Sequence, residues 1–148
     1  MRISEMFANK KPVFSLEIFP PKKQANIDTI YETVAELAAL KPDFISVTYG
    51  AGGNMADNST CEIASNIKKN HGIEGVAHLT CVNSSREDVK EMIGRFHQAD
   101  IKNVLALRGD IVPDQPRKND FAHAHLAEQI KEHSLNRIYQ TIVYGVNL

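Results

Sequence analysis

No run of the sequence approaches the ~20 consecutive apolar residues that a membrane-spanning helix needs, so a membrane protein is not expected. Charge of neither sign is in excess. The chain has 17 Lys and Arg against 18 Asp and Glu, a formal net charge of -1. Nucleic acid and anionic membrane surfaces are bound through surplus cations, so neither partner is expected. Cysteine is scarce: Cys61 and Cys81 make no disulfide framework and no metal-ligand spacing. They read as small buried thiols of a reduced, cytoplasmic protein. The opening MRISEMFANKK carries charge throughout and lacks the apolar core of a signal peptide.

What the chain does have is an ordinary globular composition, 43% hydrophobic and 24% charged over 148 residues. A chain of this size buries about 70% of its unfolded surface, enough for one domain with a real core. Four strand-like runs recur: VFSLEIF (13–19), DFISVTY (43–49), GVAHLTC (75–81) and NVLALRG (103–109). Helical patterns lie between them. In 26–40, Ile27, Ile30, Val34, Leu37 and Leu40 share one face of a 3.6-residue period. In 59–69 the face is Ile63 and Ile67, with Ser59 and Glu62 as a capping pair and Asn70-His71-Gly72 as the left-handed stop. In 85–97 it is Val89, Met92, Ile93 and Phe96, behind a Ser84–Glu87 pair. Ala124, Ala127 and Ile130 suggest a further helix at 121–133, and RIYQTIVYGV (137–146) a fifth strand.

Strands recurring about every 30 residues with helices between them predict parallel βαβ units. The sheet is then either doubly wound or closed as a (β/α)8 barrel. After the first strand stands Pro20-Pro21-Lys22, where a dinucleotide-binding fold would carry its glycine-rich turn. That favours the barrel. Barrels hold their chemistry at the C-terminal ends of the strands, and there this chain carries Glu17, Thr48-Tyr49, His78-Thr80 and Arg108-Gly109-Asp110.

FSLEIFPPK (14–22) sharpens the point. Large apolar residues on both faces of the strand predict that both are buried, yet Glu17 sits between them. Ser15 and Glu17 point to one side, the lumen of a barrel. Burial disfavours a charged carboxylate, so Glu17 would hold a proton near neutral pH and could act as a general acid. A structural glutamate paired with a cation across the barrel is the alternative. His78 reads by default as a core histidine, and His123-x-His125, without further ligands, as surface.

FSLEIFPPK, ISVTYGAGG, AHLTC and NVLALRGD, in this order and spacing, resemble the methylenetetrahydrofolate reductase family. The resemblance covers about residues 10–133. It implies a flavin-dependent (β/α)8 barrel of one-carbon and methionine metabolism, with FAD as cofactor, NADH or NADPH as electron donor and 5,10-methylenetetrahydrofolate as substrate. Residue by residue, it makes Glu17 the general acid and gives Thr48 a nicotinamide contact. It puts Tyr49, Ala51, His78, Arg108, Gly109 and Asp110 against FAD, with Asp110 also binding the pterin. A neutral Glu17 would protonate N10 and open the imidazolidine ring; the resulting iminium takes a hydride from the reduced flavin.

The resemblance implies α/β architecture as a partial TIM barrel: the first four βα units in residues 1–133, then a divergent tail, 134–148. After Phe121-Ala122-His123-Ala124 the family reads Ser-Asp-Leu, whereas His125-Leu126 follows here. A truncated, inactive fragment with at most ligand-binding or association capacity is the competing expectation. Oligomeric state and an accessory partner are left open.

Overall fold

Alternation along the strands decides the two faces of the sheet in the computed structural model, which describes residues 1–9, 12–20, 27–49, 58–81, 84–107, 109 and 140–143. The elements are α1 (Ile3–Asn9), β1 (Ser15–Ile18), α2 (Ile27–Ala38), β2 (Phe44–Val47), α3 (Ser59–His71), β3 (Glu74–Thr80), α4 (Arg86–Gln98), β4 (Asn103–Leu107) and β5 (Gln140–Val143). The five strands among the described residues are parallel, in the sheet order β1-β2-β3-β4-β5. Each strand lies beside the next in sequence, so these strands show no order reversal of the doubly wound kind. The four strands expected at 13–19, 43–49, 75–81 and 103–109 are present, three of them shorter than their apolar runs. β5 falls inside the fifth run, and the helix expected at 121–133 lies outside the described residues.

Register partners share a face. Leu16 pairs with Ile45, Ile18 with Val47, Val47 with Ala77, Ala77 with Val104, and Leu79 with Ala106. These residues meet Val34 of α2, Ile63, Ala64 and Ile67 of α3, and Val89, Met92, Ile93 and Phe96 of α4 in one core. Helices α2 to α4 therefore cover the same face of the sheet. The opposite face carries Ser15, Glu17, Ser46, Val76, His78 and Asn103.

The helix ends correct two expectations. The N-cap of α3 is Asn58, with no side-chain capping bond to the backbone; its amide donates instead to the Glu62 carboxylate at 3.1 Å. Ser59 is already inside the helix. The capping box of α4 is shifted by one residue. The Ser85 hydroxyl accepts from the Asp88 N–H (3.1 Å), and Asp88 accepts from the Ser85 N–H (2.7 Å). Ser84 instead donates to the Thr80 carbonyl at 3.3 Å. Gly72 does end α3 in the left-handed region, at φ 67°.

Leu40 falls beyond the end of α2 and is exposed, because the chain turns at Lys41 (φ 54°) ahead of Pro42.

Burial of both faces of β1 is also not found. Ile18 is buried, but Phe14 and Phe19 are 45% and 69% exposed. β1 is an edge of the described sheet, and the Ser15–Glu17–Phe19 side is not the one that helices α2 to α4 cover.

At the N-terminal ends of the strands the polar groups are satisfied. The buried Asn103 side chain accepts from the Ile3 N–H (3.1 Å) and donates to the Met1 carbonyl (3.1 Å) and to Glu74 (3.3 Å). The chain's terminal ammonium also pairs with Glu74. Phe7 of α1 meets Phe44 edge to face, with ring centroids 6.3 Å apart. α1, which the sequence reading did not anticipate, is thereby pinned to this end of the sheet. Phe14 and Asp43 start the β1–β2 pair: the Phe14 N–H donates to the Asp43 carboxylate (2.9 Å), and the Asp43 N–H to the Phe14 carbonyl (2.7 Å).

Candidate functional site

The face of the sheet opposite α2 to α4 brings three polar side chains together. Glu17 is the third residue of β1, Ser46 the third of β2 and His78 the fifth of β3. All three lie toward the C-terminal ends of their strands, and Glu17 and Ser46 are register partners. The Ser46 hydroxyl donates to Glu17 Oε2 at 3.2 Å and has the Leu16 carbonyl as a second acceptor at 3.5 Å. His78 Nε2 stands 3.4 Å from the same Glu17 oxygen. That is ion-pair distance without the alignment of a hydrogen bond. Among the described residues, Nε2 of His78 is a buried polar atom with no hydrogen-bond partner.

Electrostatics differ across this pair. His78 is buried, and burial pushes its pKa below the ordinary 6.5, with the Glu17 carboxylate opposing the shift. The imidazole is then neutral at pH 7, with one N–H donor and one acceptor nitrogen. Glu17 is not enclosed, since its side chain is 48% exposed. The burial on which its proposed protonation was argued is absent from the described surroundings.

Thr48 follows β2 on the side of the sheet that carries Ser46. Its backbone is tied on both flanks: its N–H donates to the Ile18 carbonyl (3.0 Å), and its carbonyl accepts from the Thr60 hydroxyl of α3 (2.9 Å). Tyr49 goes the other way and packs, half-buried, against the helix-side core. Gly109 has φ 81°, a left-handed conformation that a residue with a Cβ adopts at a cost. Ala51, Arg108 and Asp110 lie outside the described residues.

Of the expected site residues, Glu17 and His78 are thus brought to ion-pair distance. Ser46 was missed by the sequence reading. Its signal was a lone hydroxyl in the apolar strand FISV, but only the strand register sets it opposite Glu17.

A separate cleft of about 590 Å³ lies among the helices, lined in part by Tyr31, Cys61, Glu62, Lys69, Arg95 and Gln98. It shares no residue with the Glu17–His78 face. Burial and the nearby Glu62 push the Cys61 thiol above its ordinary value, so the thiol stays protonated. Among the described residues, no group of three or more His, Cys, Asp or Glu is placed to hold a metal ion, and no helix is long and apolar enough to cross a membrane.

A sequentially ordered parallel sheet, with helices on one face and acid, hydroxyl and imidazole toward the C-terminal ends of its strands on the other, defines an α/β protein of the kind that builds sites at that rim. Comparison with known proteins narrows the class. The model of the methylenetetrahydrofolate reductase family matches residues 2–142, and the chain belongs to that family. The match runs past residue 133 and through most of β5.

The chain is 38% identical over 118 residues to the 5,10-methylenetetrahydrofolate reductase of Pectobacterium carotovorum subsp. carotovorum, covering 80% of this chain and 39% of that protein. It is 33% identical over 118 residues to the protein of that name from Escherichia coli (strain K12), with the same coverage. A probable methylenetetrahydrofolate reductase (NADH) of Oryza sativa subsp. japonica is 39% identical over 109 residues, 74% of this chain and 18% of the relative. The chain thus spans about two fifths of the bacterial relatives it matches.

Proposed function

We propose that this chain forms the first strands and helices of a (β/α)8 flavoprotein that reduces 5,10-methylenetetrahydrofolate with NADH or NADPH. The observation that carries the reading is the meeting of Glu17 and His78 on the sheet face opposite α2 to α4, 3.4 Å apart, in a chain of this family. The sequential strand order supports the barrel, because a closed barrel needs the βα units to follow one another in one direction.

Two features fit FAD. His78 offers a buried nitrogen that has no hydrogen-bond partner among the described residues, and burial of such a group is costly unless a ligand satisfies it. Gly109 keeps the backbone after β4 free of a Cβ in a left-handed turn. His78, Ala51, Arg108, Gly109 and Asp110 would hold the flavin, and Thr48 would meet the nicotinamide; Tyr49, turned to the helix-side core, could reach the flavin only from outside the Glu17–His78 face. When bound, FAD would supply the hydride, drawn from NADH or NADPH; the NADH in the name of the Oryza sativa relative favours NADH.

Glu17 would act on the substrate. Its carboxyl gives a proton to N10, the carbon–N10 bond breaks, and the iminium left at N5 becomes the hydride acceptor. Closure of the barrel over the Glu17 face would strip water from the carboxyl and favour its neutral form. Ser46 would hold it through Oε2. Asp110 would take the N–H donors of the pterin.

A chimera tests the proposal: residues 1–133 replace the matching segment of the Pectobacterium relative. The expected product is yellow with stoichiometric FAD and oxidises NADH in the presence of methylenetetrahydrofolate. A folded chimera that neither retains flavin nor turns over would refute the reading.

A further inference from the structure

Glu17 has two neighbours on the sheet, and they are not equivalent. His78 reaches ion-pair distance but is not aligned for a hydrogen bond. Ser46 donates, and it does so from the register position directly opposite on the paired strand. Ser46 is buried and β2 lies between two paired strands, so the hydroxyl is carried on rigid backbone.

We propose that Ser46 is a positioning residue for Glu17, holding its carboxyl in one orientation in both its protonated and ionised states. The role assigned to it in catalysis rests on the reading of Glu17 as the acid. A hydroxyl is both donor and acceptor. Toward ionised Glu17, Ser46 donates to Oε2 at 3.2 Å. If Oε2 instead carries a proton, the hydroxyl can accept from it and turn its own hydrogen to the Leu16 carbonyl at 3.5 Å. The carboxyl can then gain and lose a proton without swinging away from the substrate side. A carboxylate or ammonium at position 46 could not serve both states. Alanine would leave Glu17, half exposed on an edge strand, free to sample other rotamers.

The titratable group that faces Glu17 from β3 among the described residues is His78, so its titration must be separated from that of Glu17. The test is a carbon-13 NMR titration of the full chain, following the Glu17 carboxyl and the Ser46 Cβ, repeated in a His78→Gln background. The two resonances should move with one common midpoint, and Glu17→Gln should abolish the Ser46 response. Ser46→Ala should raise the Glu17 midpoint, because the bond lost to the ionised form is charge-assisted and stronger than the one lost to the neutral form. Ser46→Thr, which keeps the hydroxyl, should restore it. Independent midpoints for the two residues, or an unmoved Glu17 midpoint in folded Ser46→Ala, would overturn the proposal. The measurement needs neither flavin nor folate. A chain that fails the flavin test can therefore still pass this one, and the two proposals fail separately.

Discussion

Gly75 of β3 lies against the backbone of Ala64 in α3. A Cβ built on Gly75 would overlap the Ala64 carbonyl oxygen and stand 3.0 Å from its carbon. Helix and strand touch here main chain to main chain, so relief requires moving an element rather than a side chain. Gly75→Ala should therefore destabilise the protein by about 3 kcal/mol through overpacking, read as a lower urea midpoint. Gly94 of α4 is the control, with nothing within 4 Å of its added Cβ. Gly94→Ala should stabilise by roughly 0.5–1 kcal/mol, since it removes glycine's excess entropy from a helix. Equal effects at the two positions would mean that the α3–β3 contact is looser than described.

Asn103 fastens α1 to the sheet. Asn103→Leu removes the acceptor of the Ile3 N–H and the donor to the Met1 carbonyl. It should cost about 2–3 kcal/mol, the penalty of stranding buried polar groups. Amide exchange at Ile3 should accelerate more than exchange in β3. Uniform acceleration across both would show that α1 is not held through Asn103.

His78 gives stability a pH dependence of known sign. Its pKa is lowered in the folded state by burial, so the unfolded chain takes up the proton first as pH falls. Stability attributable to neutral His78 is present above about 6.5 and is lost below it, down to the lowered folded value. The slope cannot exceed about 1.4 kcal/mol per pH unit for one proton. Urea midpoints measured between pH 7.5 and 5 should decline, and His78→Gln should flatten that decline. Glu17→Gln should steepen it, because the carboxylate opposes the lowering. An unchanged slope in both variants would remove His78 from the account.

In the flavin-loaded chimera, Glu17→Gln should spare flavin reduction by NADH while slowing folate reduction by at least 10²-fold, the usual weight of one general acid. Rapid-mixing measurement of the two half-reactions separates them. Comparable loss in both would make Glu17 a structural residue.

Ser85→Ala removes the hydroxyl that accepts from the Asp88 N–H in the α4 capping box, leaving the backbone Ser85 N–H bond to Asp88, and should cost about 1 kcal/mol. Ser84→Ala should not act through the cap, since its hydroxyl bonds to Thr80. A larger loss of α4 helicity in Ser84→Ala than in Ser85→Ala would reverse that assignment.

Periodicity alone determined the repeating β-α order and the inward faces of α3 and α4. Apolar spacing is a local property, and Ile63, Ile67, Val89, Met92, Ile93 and Phe96 are all buried where it places them. The same holds for Gly72, whose left-handed stop answers to one residue's lack of a Cβ. Helix caps were legible only to within a residue. SSRED offers two serines to the same helix end, and only the backbone geometry chooses Ser85.

The tertiary structure decided what depends on distant parts of the chain. Glu17 was singled out in the sequence by its apolar strand, but its exposure follows from β1 standing at an edge of the described sheet. Ser46 carries no motif of its own and enters the site through the register that sets β2 against β1. Tyr49, adjacent to Thr48 in sequence, faces the opposite side because successive residues alternate across a strand. The sequence names the residues capable of chemistry; strand pairing over some 30 residues of separation determines which of them meet.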